Sequence, residues 1–280
     1  MFYIQNIATE GTFTLSEIDV KAGEIEANPI KLENGVSADI PAEAFKTTYY
    51  GFTTTKRGIL DLRTDMPYEY DYNTYQASSM QYKTANDGWY SWVSGSAEGY
   101  ITTLPTEAGV SYYIKTFTLN DTQYKLTATE YAFDELPAIP AETGATLDVP
   151  VKTNNNYKDW YYLNIPKAGK FTLYAEGKSY ADFQVYSTSD LSSPVASTDV
   201  FSSEGVYYTT LTFHADAASE YAVALTSSPG YNGEGTTFTV TFEKDATVPG
   251  TTEDEPIVLT SGEMHRRELL GRHGGHLDKR

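Results

Sequence analysis

The residues of this sequence best suited to chemistry are flat aromatic side chains, and the chemistry they suit is recognition. Tyr68, Tyr70, Tyr72, Tyr75, Tyr82, Trp89, Tyr90 and Trp92 fall within one short stretch. Sugars and extended peptides stack on such rings, and the polar tips of Tyr and Trp tolerate water. Trp89, Tyr90 and Trp92, flanked by Asp87-Gly88 and Gly95, are the candidate ligand platform. Alternation sets expectations for the individual rings. On a strand, Tyr68, Tyr70 and Tyr72 share one face, and Glu69 and Asp71 take the other. Carboxylates face water at less cost than rings do, so these three tyrosines are expected to line the core. Trp89 and Trp92 are three residues apart, so they cannot share a face of an extended strand. At least one is expected in the core, the other exposed near a loop.

Other reactive groups are sparse. A Ser-His-Asp triad needs a histidine oriented by a carboxylate and a serine on a sharp turn. His214 has no G-x-S-x-G partner and reads as a surface histidine at a strand end. His265, His273 and His276 lie near the C-terminus without the H-E-x-x-H spacing of a metal site. The absence of cysteine excludes disulfide scaffolds, thiolate catalysis and cysteine-ligated zinc. No EF-hand loop is present. Two acidic segments, Glu24-Ile25-Glu26-Ala27-Asn28-Pro29 and Glu253-Asp254-Glu255-Pro256, place oxygen donors beside a rigid proline. They read as solvated hinges, with a linker calcium site as the alternative. No catalytic, cofactor-binding or metal-ligating residue is assigned.

The elements that must position the rings are strands. Phe171-Thr172-Leu173-Tyr174, Phe183-Gln184-Val185-Tyr186, Tyr221-Ala222-Val223-Ala224-Leu225 and Phe238-Thr239-Val240-Thr241-Phe242 alternate with period two. Turn signals such as Pro166 to Gly169 and Ser227 to Gly235 interrupt them. The 24 tyrosines, with many Thr and Ser, suit pleated surfaces. Lys plus Arg is 20 against 38 Asp plus Glu, a net charge of −18. That argues against a nucleic-acid binder, which needs a basic stripe, and against docking on anionic lipid. No apolar run approaches the ~20 residues of a membrane helix.

The chain also repeats itself. Gly35-Val36-Ser37-Ala38-Asp39-Ile40-Pro41 recurs as Gly144-Ala145-Thr146-Leu147-Asp148-Val149-Pro150, both G-x-x-x-D-[IV]-P. Tyr50-Gly51-Phe52 with Gly58, Leu60 and Leu62 answers Tyr161-Tyr162-Leu163 with Gly169, Phe171 and Leu173. Ser96 to Gly99 answers Ser202 to Gly205, and the Thr-Thr-Leu at Thr102 to Leu104 answers Thr209 to Leu211. Tyr112 stands opposite Tyr221. An offset of about 110 residues suits a sandwich domain rather than a helical solenoid. The expected fold is therefore all-β, two tandem antiparallel β-sandwiches (jelly-roll or Ig-like) with partial repeats at both ends. Residues 1–25 read as the last strands of a preceding repeat, 26–134 as the first sandwich and 135–246 as the second. Residues 247–263 read as a linker and the start of a third repeat, since Pro256 to Gly262 copies P-I-x-L-x-x-G from Pro29 to Gly35. Residues 264–280 carry five basic and two acidic residues and read as a tail foreign to the array.

These repeats resemble bacterial pre-peptidase C-terminal (PPC) modules and related tandem modules of Bacteroidetes surface proteins. The likeness rests on Tyr161 to Leu173, Phe183 to Tyr186, Tyr221 to Leu225 and Phe238 to Phe242. It covers 135–246 more closely than 26–134, where the F-x-V-Y strand is matched by Tyr68-Glu69-Tyr70-Asp71-Tyr72. The resemblance implies a secreted or cell-surface, non-catalytic accessory module. The expected role is a structural or adhesive stalk. The alternative is a carbohydrate- or polymer-binding module attached to a secreted hydrolase. The expected partners are neighbouring repeats and a glycan or extracellular polymer, with neither nucleic acid nor membrane insertion. Exposed tryptophans would favour binding, and buried ones the stalk.

Overall fold

The computed structural model describes residues 2–6, 13–17, 19–150, 157–178, 180–203, 206–228 and 237–244. The contact map divides the chain into two units, Met1–Asp245 and Ala246–Arg280. The expected third repeat, the basic tail and its three histidines lie outside the described residues. Among the described residues the only helix is a 3-10 turn at Phe133–Glu135.

An N-terminal hairpin pairs β1 (Phe2–Asn6) with β2 (Phe13–Glu17). Then follow β3 (Ile30–Lys31), β4 (Ser37–Ile40), β5 (Lys46–Thr53), β6 (Gly58–Thr64), β7 (Tyr70–Asp71), β8 (Gln76–Ala77) and β9 (Ser79–Thr84). The next are β10 (Ser91–Val93), β11 (Gly95–Ser96), β12 (Gly99–Thr106), β13 (Ser111–Thr118) and β14 (Tyr124–Ala132). Beyond the 3-10 turn come β15 (Thr146–Pro150), β16 (Lys158–Ile165), β17 (Gly169–Gly177), β18 (Tyr180–Ser187) and β19 (Ala196–Ser197). The last are β20 (Asp199–Ser203), β21 (Val206–Ala215), β22 (Ser219–Ser228) and β23 (Thr237–Lys244).

Four sheets form two sandwiches. Sheet I runs β10-β9-β13-β5-β3 and sheet II runs β11-β12-β6-β14-β4. Sheet III runs β19-β18-β22-β16 and sheet IV runs β20-β21-β17-β23-β15. Element for element, sheet I has the order of sheet III and sheet II that of sheet IV. Even the parallel edge recurs: β3 pairs β5 in parallel, and Ala138 bridges Tyr162 in parallel. Period two turns alternate side chains of the long sandwich strands into a core, as in β5, β13, β14, β17 and β18. Tyr50, Phe52, Leu60, Leu62, Tyr112 and Ile114 fill the first core. Tyr161, Leu163, Phe171, Leu173, Tyr221 and Val223 fill the second. The registers agree as well, because Tyr112 faces Phe52 and Tyr221 faces Leu163. One sequence match shifts by two residues. Leu104 faces Leu60 and Phe213 faces Phe171, so Leu104 corresponds to Phe213 and not to Leu211.

The sandwiches meet through outward faces. Ile59, on the solvent side of sheet II, packs with Phe133 against Trp160, Tyr186, Ala222 and Ala224 of sheet III. Trp160 Nε1 donates to Thr103 Oγ1 at 3.0 Å, and Thr103 Oγ1 donates to the Lys158 carbonyl at 2.8 Å. Arg63 chelates the buried Asp61 carboxylate and donates to Tyr157 OH at 2.6 Å. These bonds satisfy the polar groups that stacking two sheets removes from water. The junction is therefore a packed interface rather than a bare tether.

Candidate functional site

A hairpin insertion builds the site. Between β6 and β9 the chain leaves the sandwich at residues 65–78, whereas the equivalent strands β17 and β18 are joined almost directly. Ser78 anchors the base of the insertion. Its hydroxyl donates to the Pro67 carbonyl at 2.9 Å and accepts from the Glu69 N–H at 2.8 Å. It lies 3.0 Å from Tyr100 OH, which also donates to the Ser78 carbonyl. Burial pushes the Tyr100 phenol up to about 12, against the opposing Ser78 hydrogen bond, so it stays a donor. Tyr68 N–H donates to the Ser96 carbonyl at 2.8 Å. A groove of about 430 Å³ opens between Tyr68 and Trp92, floored by Ser78, Ser79, Val93, Gly95 and Tyr100. Gly95 is required there, because a Cβ would sit 2.5 Å from the Tyr100 ring.

The ring orientations correct two expectations. Tyr68, Tyr70 and Tyr72 do not line the core; all three are exposed, Tyr72 by 79%. The segment is not a long strand but the two-residue β7, paired only with β8, so alternation buries neither face. The true counterpart of Phe183-Gln184-Val185 is Met80-Gln81-Tyr82, with Gln81 facing Lys115 as Gln184 faces Ala224. Tyr70 and Tyr72 stack edge to face at 4.8 Å. Tyr75, 79% exposed, crowns the hairpin at φ 56, a left-handed conformation costing a non-glycine residue about 1–2 kcal/mol.

Neither Trp89 nor Trp92 is in the core: they are 89% and 72% exposed. The expectation assumed one strand running through both. Trp89 instead lies in the turn before β10, a turn held by Asp87 accepting from Thr84 N–H and Oγ1, each at 2.8 Å. Trp92 lies on β10 opposite Gln81, on the outward face of sheet I. Tyr90 is half-buried. Its hydroxyl donates to Glu26 Oε2 at 2.9 Å, and its ring lies 5.0 Å from Lys83 Nζ and 4.6 Å from Lys115 Nζ. Of the three platform residues, then, Tyr90 is engaged within the fold and the two tryptophans are open to solvent.

The Glu26 carboxylate also takes an ion pair from Lys83 at 2.6 Å. Burial would raise Glu26, but the Lys83 and Tyr90 hydrogen bonds outweigh it and hold the carboxyl below its usual range. Glu24 accepts from Lys21 N–H at 3.1 Å, and Asn28 Nδ2 donates to the Val20 carbonyl at 2.9 Å. The first acidic linker thus directs its oxygens to protein donors; the second, Glu253 to Pro256, lies outside the described residues. His214 is exposed on β21 opposite Lys170. Among the described residues no group of three or more His, Asp or Glu is placed to hold a metal ion.

Sequence reasoning also missed Glu130. Buried in sheet II, it accepts from Thr55 N–H at 2.7 Å, Thr55 Oγ1 at 2.6 Å and Lys56 N–H at 3.2 Å, tying down the β5–β6 turn. The signal available for the exposed tyrosines was the absence of any counterpart to residues 65–78 in the second repeat. A segment that one copy lacks is not needed for the shared core.

No known family matches this chain, and neither does any curated protein. Two solved structures are similar at a low level. One is the CUB1-EGF-CUB2 domain of human MASP-1/3, 8% identical, covering 69% of this chain and 99% of that one, with a TM-score of 0.22. The other is the CUB1-EGF-CUB2 domains of rat MASP-1, 10% identical, covering 76% and 99%, with a TM-score of 0.24. The sheet order above, not this likeness, establishes the sandwich.

Proposed function

We propose that this chain is a non-catalytic segment of a secreted or cell-surface protein, and that its first sandwich binds an extended glycan through the Tyr68–Trp92 groove and the neighbouring Trp89. The exposure of both tryptophans carries the reading. Indoles left so largely exposed gain little for folding, and a ring at each side of a mostly apolar groove suits a sugar, whose C–H faces stack while its hydroxyls reach the exposed Ser94 of the lining. The resemblance to PPC-type accessory modules supports the same class of role. The packed junction favours a second, compatible reading, a stalk segment that presents this surface at a set angle.

A glycan array probed with the whole chain and with Trp92→Ala and Trp89→Ala variants tests it. Binding by the parent is expected to fall about 5- to 150-fold in Trp92→Ala, the loss of one stacking ring being worth about 1–3 kcal/mol. An unbinding parent, or a doubly substituted chain that binds as well as the parent, would refute the glycan reading and leave the stalk.

A further inference from the structure

Because the ladders agree, the sandwiches can be compared residue by residue. Tyr49, Lys83, Tyr113 and Lys115 of sheet I stand where Trp160, Tyr186, Ala222 and Ala224 stand in sheet III. The second set is buried beneath sheet II. The first is the outward face of sheet I, and all four residues are partly exposed. A linker residue crosses both faces at the same place. Glu26 precedes the Lys31–Gly51 pair by the same spacing as Phe133 precedes the Ala138–Tyr162 bridge.

We propose that the outward face of sheet I is a stacking surface for the outer sheet of a further sandwich of this series, carried ahead of Glu26 in the same polypeptide. Two observations favour that occupant. The chain already makes this contact once, sheet II on sheet III, with matched strand order and register. The face also keeps a small positive charge, since Lys83 and Lys115 flank Tyr90 and only Lys83 is ion-paired, to Glu26, whereas the chain carries −18 overall. An acidic sandwich of the same series complements it. The proposed glycan groove stays open in this arrangement. Trp92 corresponds to Ser197, which faces Gln184 and is exposed although Trp160, Tyr186, Ala222 and Ala224 of the same sheet face are covered.

The test adds a sandwich to the whole chain. Residues 26–132 are repeated directly ahead of Glu26, so that Glu26 takes the place Phe133 occupies at the existing junction. The sequence has no cysteine, so introduced thiols are the only ones. Thr103→Cys with Lys158→Cys in the unextended chain reports the existing junction, where the two residues are hydrogen-bonded. Thr103→Cys in the added copy with Thr47→Cys in the resident one is the equivalent pair. It is expected to oxidise within about tenfold of the reference rate, since both are intramolecular closures, and Ile59→Lys in the added copy is expected to abolish the closure. A reference pair that closes while the new pair does not overturns the proposal. If the extended chain fails to fold, the unextended protein serves. Thr212 is the counterpart of Thr103 on sheet IV, so Thr47→Cys and Thr212→Cys chains are mixed. A mixed disulfide above that of a Ser189→Cys control supports stacking, and none above it overturns the proposal.

Discussion

The two sandwiches share strand order, register and core, yet they present different surfaces. The first leaves the sandwich at 65–78 to raise a tyrosine-bearing hairpin and exposes Tyr68, Tyr70, Tyr72, Tyr75, Trp89 and Trp92. The second passes from β17 to β18 with almost no loop, and its tryptophan, Trp160, is buried at the junction. A sheet can carry rings in three settings: inside the sandwich, between sandwiches, or in solvent. Only the last frees them to meet a ligand. The lesson is that two sandwiches can share one scaffold of paired strands and still differ wherever side chains lie outside the shared core, here in the 65–78 insertion and at Trp89 and Trp92.

The comparison can be broken at several points. The largest effects are expected in the cores. Leu62→Ala and Leu173→Ala occupy equivalent buried positions, and each is expected to cost about 2–5 kcal/mol in urea unfolding. A cost confined to one of them would show that the two cores are not equivalent. Trp160→Ala removes the junction ring and its Thr103 bond and is expected to cost about 3 kcal/mol. It should also split a single unfolding transition into two, whereas unchanged cooperativity would show that the junction does not couple the sandwiches. Glu130→Gln weakens three hydrogen bonds in the first sandwich alone, a loss of about 1–3 kcal/mol. Trp92→Ala and Trp89→Ala are expected to change stability by less than about 0.5 kcal/mol while removing binding.

Acid should separate the sandwiches too. Burial would raise Glu130, but its hydrogen bonds from Thr55 and Lys56 hold it below the usual carboxylate range, as those from Lys83 and Tyr90 hold Glu26. The folded carboxyls therefore bind protons more weakly than the unfolded ones. Their stabilisation is complete above the unfolded value of about 4.3 and is lost as pH falls through the lower folded value. The first sandwich should lose stability over that range, and Glu130→Gln should flatten the loss, as read by urea midpoints between pH 5 and pH 2.5.

Much of the scaffold was legible. The G-x-x-x-D-[IV]-P match marks the turns into β4 and β15, and Tyr50-Gly51-Phe52 and Tyr161-Tyr162-Leu163 do fall on paired strands, β5 and β16. The site was legible in composition but not in orientation. Alternation read across Tyr68 to Tyr72 assumed a partner strand on each side, and β7 has only the two residues of β8. The Trp89–Trp92 spacing assumed extended backbone where the Asp87–Thr84 bonds make a turn.

What the sequence determined by itself was the period: two-residue alternation within strands and the longer repeat between sandwiches, both local consequences of which side chains must leave water. What only the tertiary structure decided was which outward faces stay outward. Trp160 and Tyr49 occupy equivalent positions on equivalent strands, and no local pattern distinguishes them. Their difference arises because sheet II covers one and not the other, and burial of that kind depends on neighbours distant in the chain.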